Sequence, residues 1–377
     1  MPRFFRSADI WSSAPCTTVG GELPSFTRRR FLAGAAWACL SFCYGCTGRG
    51  RETLNIYNYS NYIAKSTVPD FIKETGIPVV YDEFSSQDVL FAKLKLGAGY
   101  DLVVATDYML RRMIRQNLLA PIRGFKLKNQ IMPRFAAPPW DPHLTYSVPF
   151  MWGTTGIGYN KSKLPQAPTS WNDLWDARYR GRMSMLDEKR DSIGAALIAL
   201  GLDGNSTNPR DLERAKQYLI AQKPLLRQYT NDYIDGLARN ELWLAQAWSG
   251  DVARARSSNS QIDYCLPKEG SFVFVDSWAI PESARHKEEA VAFLNFVMQP
   301  QQVALVTNAT GYPNAIETSL PYVDKQYINA PLGYPPAEML ARTVFQTDIG
   351  AEEKKWDVIW NEVKFREYKE NPGGMNS

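Results

Sequence analysis

Residues 54–104 read LNIYNYSNYIAKSTVPDFIKETGIPVVYDEFSSQDVLFAKLKLGAGYDLVV, and their rhythm sets the fold class. Leu54-Asn55-Ile56-Tyr57 predicts a short strand, Val68 to Thr75 a helix closed by Gly76, and Pro78 to Tyr81 a second strand. Val89 to Leu96 predicts a helix ending near Gly97, Asp101 to Val104 a third strand, and Met109 to Leu118 a basic amphipathic helix. Strands and helices that alternate in this way imply an α/β fold with a largely parallel sheet and helices on both faces.

Working outward, Pro138 to Pro149 is rich in turn residues, and Met151 to Asn160 follows as an extended run. Gly153, Gly156 and Gly158 make that run a crossover between two lobes. A second α/β region covers about 160–270, with helices over Gly194 to Leu200 and Asp211 to Ile220. Phe272 to Ile280 predicts a buried strand, Glu288 to Met298 a helix ending at Pro300, and the last 50 residues a mostly helical tail. A chain of 377 residues is long enough for two full cores. In open α/β sheets ligands sit at strand carboxyl ends, and a cleft between lobes is a common pocket.

Composition narrows the functions. The chain is 45% apolar and 22% charged, ordinary for a globular protein. Its formal charge is +4, of which +3 belongs to the first 45 residues, so the body is nearly neutral. No basic face of the kind nucleic acid requires is visible. Cys16, Cys39, Cys43 and Cys46 fall in the leader, leaving Cys265 alone in the body. With only His143 and His286 besides, neither a zinc site nor a Ser-His-Asp triad is expected, and no cofactor is.

The leader reads as an address. Thr27-Arg28-Arg29-Arg30-Phe31-Leu32 precedes an uncharged stretch to Cys46, and the 16 residues from Phe31 to Cys46 are too few to span a bilayer. Twin arginines before a short apolar segment mark a Tat-type export signal. Gly45-Cys46 resembles the end of a lipoprotein box, so the mature chain is either released or tethered through a lipid on Cys46. Periplasmic or otherwise extracytoplasmic location follows in both cases.

Acids beside rings recur in separated segments. Asn58-Tyr59-Ser60-Asn61-Tyr62 follows the first strand, and Thr106-Asp107-Tyr108 the third, with Asp107 expected as a helix N-cap. Asp187-Glu188-Lys189-Arg190-Asp191 precedes an Ala-rich helix. There, Asp191 either caps that helix or faces a ligand, and Lys189 and Arg190 either neutralise the acids or leave them free. Trp248-Ser249-Gly250-Asp251 follows an apolar run from Leu242 to Ala247. Phe274 and Asp276 share strand parity, which places ring and carboxylate on one face. An acid inside an apolar strand is costly unless partnered. Carboxylates interleaved with ring faces suit a cationic, alkyl ligand, through ion pairing and cation–π attraction.

From Leu54 to Phe365 the chain resembles the periplasmic spermidine/putrescine-binding proteins of bacterial ABC importers. The residues that carry the likeness, in order, are Asn58 to Tyr62, Tyr100 to Val104, Pro149 to Gly153, Thr169 to Trp175, Trp248 to Asp251, Asp276-Ser277 with Ala279-Ile280-Pro281, Gly311-Tyr312-Pro313, and Gln346 with Asp348 and Gly350. The resemblance implies a type II periplasmic-binding-protein fold, two α/β lobes closing on ligand like a hinged trap. The division it implies is 1–46 as signal, 52–155 with 275–320 as one lobe, and 156–274 with 321–377 as the other. It also implies amine-contacting acids at Glu188, Asp191 and Asp276, with Asp251 matching the acid of putrescine-type members. Tyr59, Tyr62, Trp248 and Phe274 become the ring box, and Thr106, Tyr108 and Gln346 polar contacts, with Ser60 and Asn61 in the same loop. The chain departs from the family at Tyr59, where the family usually carries Trp, at Phe274, where spermidine-type members carry Trp, and at Asn61, where relatives carry an acid.

The expected function is that of the non-enzymatic, monomeric binding component of an importer, with a polyamine as ligand and membrane permease subunits as partners. Two alternatives remain open at this stage. One keeps the fold and takes another organic cation or a neutral solute; the other is an exported glycoside hydrolase, since paired carboxylates with Trp also describe sugar-cleaving sites.

Overall fold

The computed structural model describes residues 52–84, 86–328 and 332–365. The export signal and Cys46 lie outside the described residues. The opening rhythm is realised as β1 (Leu54–Tyr59), α1 (Thr67–Thr75), β2 (Val79–Phe84), α2 (Gln87–Lys95), β3 (Leu102–Thr106) and α3 (Asp107–Arg115). Gly76 ends α1 at φ 67°, a left-handed cap whose N–H returns to the Ile72 carbonyl. The three strands are parallel, with β1 between its neighbours: Leu54 faces Val79 and Ile56 faces Leu102. Strands run further than the sequence pattern predicts, so Asn58, Tyr59 and Thr106 end strands rather than lie in loops. Asp107 is not the cap of α3. Thr106 holds that position without a side-chain bond, and Asp107 is the first helical residue, its Oδ1 accepting the Tyr108 N–H at 2.6 Å.

Beyond β4 (Leu119–Ala120), one 14-residue strand, β5 (Ser147–Asn160), is buried throughout and takes in Pro149, which the pattern assigned to a turn region. The chain continues through β6 (Met183–Met185), α4 (Lys189–Ala199), α5 (Pro209–Gln222), β7 (Gln228–Tyr229), α6 (Ile234–Ala238), β8 (Leu244–Trp248), α7 (Ser249–Ser258) and β9 (Ile262–Cys265). Then come β10 (Ser271–Pro281), α8 (Lys287–Val297) and α9 (Pro300–Thr310), which Pro300 opens from a first-turn position where no backbone donor is needed. The tail is less helical than expected: α10 (Lys325–Ile328), α11 (Ala337–Leu340), β11 (Thr343–Phe345) and α12 (Glu353–Phe365).

The strands follow the order β2-β1-β3-β10-β5-β8-β6-β7, with β4 and β11 on β10 and β9 on β5. The outer pairs are parallel, but the central ones, β3·β10, β10·β5 and β5·β8, are antiparallel. β5 changes partner midway: Thr154 faces Val273 of β10, and Thr155 faces Trp248 of β8. Between Asp276 and Ser277 the register slips, because Asp276 faces Met151 while Ser277 faces Pro149. Proline has no N–H to give the ladder, so the irregularity falls at Pro149. One apolar core, including Leu54, Val104, Phe150 and Trp278, lies around the first strands and β10. Two others, around Trp171, Leu197 and Trp356 and around Tyr233, Val252 and Tyr264, lie beyond Thr155.

Candidate functional site

The ends of β1, β3 and β8, the first turns of α3, α4 and α7, and the middle of β10 converge on one cleft of about 370 Å³. It is lined by all thirteen expected side chains: Tyr59, Ser60, Asn61, Tyr62, Thr106, Tyr108, Glu188, Asp191, Trp248, Asp251, Phe274, Asp276 and Gln346. Ser60 and Asn61 stand exposed at the mouth, Asn61 in the left-handed region at φ 56°. Asp276, Asp251 and Asp191 are buried, at 5%, 7% and 9% exposure. Glu188 holds the N-cap position of α4, and Asp191 and Asp251 lie in the first turns of α4 and α7, where the dipole favours negative charge.

Each carboxylate has its own donors. Asp276 Oδ2 accepts the Tyr62 hydroxyl at 2.7 Å, with Thr106 as a second donor, yet burial still pushes its carboxyl up to about 7. Asp191 Oδ1 accepts Thr155 Oγ1 at 2.7 Å, and Gln346 and Trp248 also bond it; burial is again the larger effect and raises it. Among the described residues Glu188 accepts one side-chain bond, from Asn231 Nδ2 at 3.1 Å, and burial with the neighbouring Asp191 charge drives it to about 8. Asp251 accepts the Tyr233 and Tyr312 hydroxyls, both at 2.9 Å, and stands 3.7 Å from the Arg254 guanidinium; its carboxyl is raised by burial despite these.

Two alternatives left open by the sequence resolve here. Asp191 does not cap α4; Glu188 occupies the cap position with no side-chain bond. Lys189 turns to Glu353 and Asp357, at 2.7 and 2.6 Å. Arg190 pairs with Glu353 at 3.6 Å, bonds Asn205 and the Thr347 carbonyl, and lies 4.6 Å above the Trp356 ring. Among the described residues neither cation forms an ion pair with Glu188 or Asp191, although the Arg190 charge still pulls Asp191 down against the larger effect of burial.

The rings form a wall. Tyr59 meets Tyr62 at 5.4 Å between centroids and Phe84 at 4.5 Å; Tyr62 meets Tyr312 at 5.0 Å, and Phe274 meets Tyr312 at 6.2 Å. Edge-to-face packing of this kind holds each ring plane at a fixed tilt. Phe274 lies directly on Gly153, where a Cβ would stand 2.7 Å from Phe274 Cζ. Gln87 ties the wall to β3, donating to the Tyr59 hydroxyl while its Oε1 accepts the Thr106 N–H.

Sequence reasoning missed Phe84, Ser86, Gln87, Asn231, Asp232, Ile234, Arg254 and Tyr312 as cleft residues. Of these only Tyr312 carried a signal, lying in the Gly311-Tyr312-Pro313 marker. Among the described residues no group of three His, Cys, Asp or Glu could hold a metal ion, and no helix is long and apolar enough to cross a membrane.

Comparison with known proteins gives one consistent result. The model of the bacterial extracellular solute-binding protein family matches residues 67–335. The spermidine/putrescine-binding periplasmic protein of Escherichia coli (strain K12) is 33% identical over 352 residues, covering 91% of this chain and 99% of that protein. The putrescine-binding periplasmic protein PotF of the same organism is 34% identical over 344 residues, covering 83% and 92%. Among solved structures, the Tp0655 (TpPotD) lipoprotein of Treponema pallidum superposes with a TM-score of 0.77 at 31% identity, covering 84% of this chain and 100% of that one. The spermidine/putrescine ABC transporter substrate-binding protein PotD of Streptococcus pneumoniae gives 0.74 at 27%, covering 83% and 98%.

Proposed function

This chain belongs to the bacterial extracellular solute-binding protein family, and we propose that it captures a polyamine for an ABC importer. Its relatives are binding proteins of transport systems rather than enzymes, and its fold is the two-lobed α/β fold of that class. One observation carries the polyamine reading: Glu188 and Asp191 from the start of α4, Asp251 from the start of α7 and Asp276 from β10 share a cleft walled by Tyr59, Tyr62, Trp248 and Phe274. An alkyl chain lies along the rings while its ammonium groups meet the acids. Ring faces alone would not separate cations from neutral alkyls, so discrimination rests on the carboxylates. Thr106, Tyr108 and Gln346 complete the polar contacts, with Ser60 and Asn61 at the entrance.

The protons on the acids fit this use. With Glu188 near 8 and Asp276 near 7, an empty cleft at neutral pH avoids the full cost of burying bare carboxylates. An arriving ammonium supplies the missing counter-charge and displaces those protons.

The lobes we assign are 52–155 with 275–320 and 156–274 with 321–377, and the change of partner in β5 between Thr154 and Thr155 supports that boundary. The twin-arginine leader would export the chain to the periplasm, and Cys46 would carry a lipid tether, in keeping with the likeness to the Treponema pallidum lipoprotein. The monomer then hands its cargo to membrane permease subunits. Titration calorimetry with spermidine, putrescine and cadaverine tests the function; heat with at least one amine is expected, and none with any of the three refutes it.

A further inference from the structure

Asp251 differs from the other acids of the cleft in how completely the protein already occupies it. Tyr233 donates to Oδ2 and Tyr312 to Oδ1, both at 2.9 Å, and Arg254, one turn later on α7, places its guanidinium 3.7 Å from Oδ1. Neither tyrosine is free to yield. Tyr233 is fully buried and its hydroxyl also accepts the Trp248 N–H. The Tyr312 ring lies against Gly250, where any Cβ would collide with it. Arg254 itself lines the cleft, its side chain one-third exposed, with Asp251 as its acidic partner. Arg190, the other arginine on the cleft wall, is turned to Glu353, Asn205 and Thr347, so it does not play this part.

On the reading that the cleft holds a polyamine, we propose that Arg254 is a specificity residue that cancels Asp251 and restricts the ligand to diamines. Two positively charged groups share the Asp251 end poorly, because the guanidinium cannot lose its proton and the further acid of the cleft wall, Asp232, stands exposed, where water screens its charge. Glu188, with Asp191 behind it, and Asp276 remain for two ammonium groups. A triamine brings one ammonium more than these two buried positions take, the Glu188–Asp191 pair serving as one; a diamine matches them. The device is repulsive rather than attractive, which is how sites often separate homologous ligands.

Calorimetry on the full mature chain with putrescine, cadaverine and spermidine tests this. The wild type is expected to bind one of the diamines about 10-fold or more tighter than spermidine, the scale of one uncompensated like-charge contact. Arg254→Gln should raise the spermidine-to-putrescine affinity ratio by about 5-fold or more, and Arg254→Lys, which keeps the charge, should hold the ratio near that of the wild type. A wild type that prefers spermidine, or a ratio that Arg254→Gln leaves unchanged, overturns the assignment of Arg254 while leaving polyamine capture standing. A ratio that rises equally in Arg254→Lys also overturns it, because shape rather than charge would then decide. Absence of heat with all three amines refutes the polyamine reading itself, and this inference with it.

Discussion

Tyr62 and Asp276 lie 214 positions apart, yet the Tyr62 hydroxyl donates to Asp276 Oδ2 at 2.7 Å inside the cleft. Tyr62 is itself held edge-on by Tyr59 and Tyr312, so the bond fixes one carboxylate lone pair and aims the rest at the ligand space. Asp276→Asn keeps the shape and removes the charge. It should weaken polyamine binding about 10–100-fold, the worth of one or two charge-assisted hydrogen bonds, while circular dichroism shows the fold unchanged. Tyr62→Phe should lose less, about 3–10-fold, because the charge remains. Equal affinities in wild type and Asp276→Asn would remove Asp276 from the site.

Binding should depend on pH. In the empty cleft burial holds Asp276 near 7 and Glu188 near 8, both above the ordinary carboxylate range, so each is partly protonated at neutrality. An ammonium favours the ionised form and ejects those protons, so affinity rises as pH goes from about 6 to about 8. Calorimetry in buffers of different ionisation heat reads the released protons directly; an observed enthalpy independent of buffer at pH 7 contradicts the prediction.

The same shifts act on stability with the opposite sense from a salt-bridged acid. A raised pKa in the folded state means that folding takes up protons, so stability is lost as pH rises from the ordinary carboxylate value through about 7 for Asp276 and about 8 for Glu188. Glu188→Gln and Asp276→Asn should therefore each raise the melting midpoint of the unliganded protein at pH 8 by about 2 °C or more, and by less near pH 5. Thermal scans at the two pH values check this; destabilisation by both variants at pH 8 would count against it.

Gly153 sets the position of Phe274. A methyl group there would stand 2.7 Å from Phe274 Cζ and 3.1 Å from Ser249 Oγ, so Gly153→Ala should tip the ring into the ligand space and lower affinity about 5-fold or more. Shortening the ring in Gly153→Ala/Phe274→Leu should recover part of the loss, giving non-additive effects in a double-mutant cycle. Additive losses would show that the glycine and the ring act separately.

The fold was legible where local rules act alone. The alternation over 54–104, the cap at Gly76 and the buried strand of β10 all show in the pattern. What did not show depends on partners remote in sequence. β5 begins at Ser147, four residues before the extended run that the pattern marks from Met151, and takes in Pro149, which read as a turn residue; pairing with β10 overrides that local preference. Asp276 stood out because an acid in an apolar strand demands a partner, but Tyr62 as that partner could be found only in three dimensions. Gln87, Asn231 and Arg254 are ordinary polar residues on a helix or loop, and nothing in their spacing marks which of them turns inward.

The pairing of β3 with β10 has a bearing on how the polypeptide is made. Asp276 must arrive opposite Thr106 before β3 has a partner on that side, so the ladder waits until much of the chain has left the ribosome. Contacts between such remote segments slow the search for the native state. During translation β3 displays an open edge, where nascent chains are prone to associate wrongly and chaperones are needed.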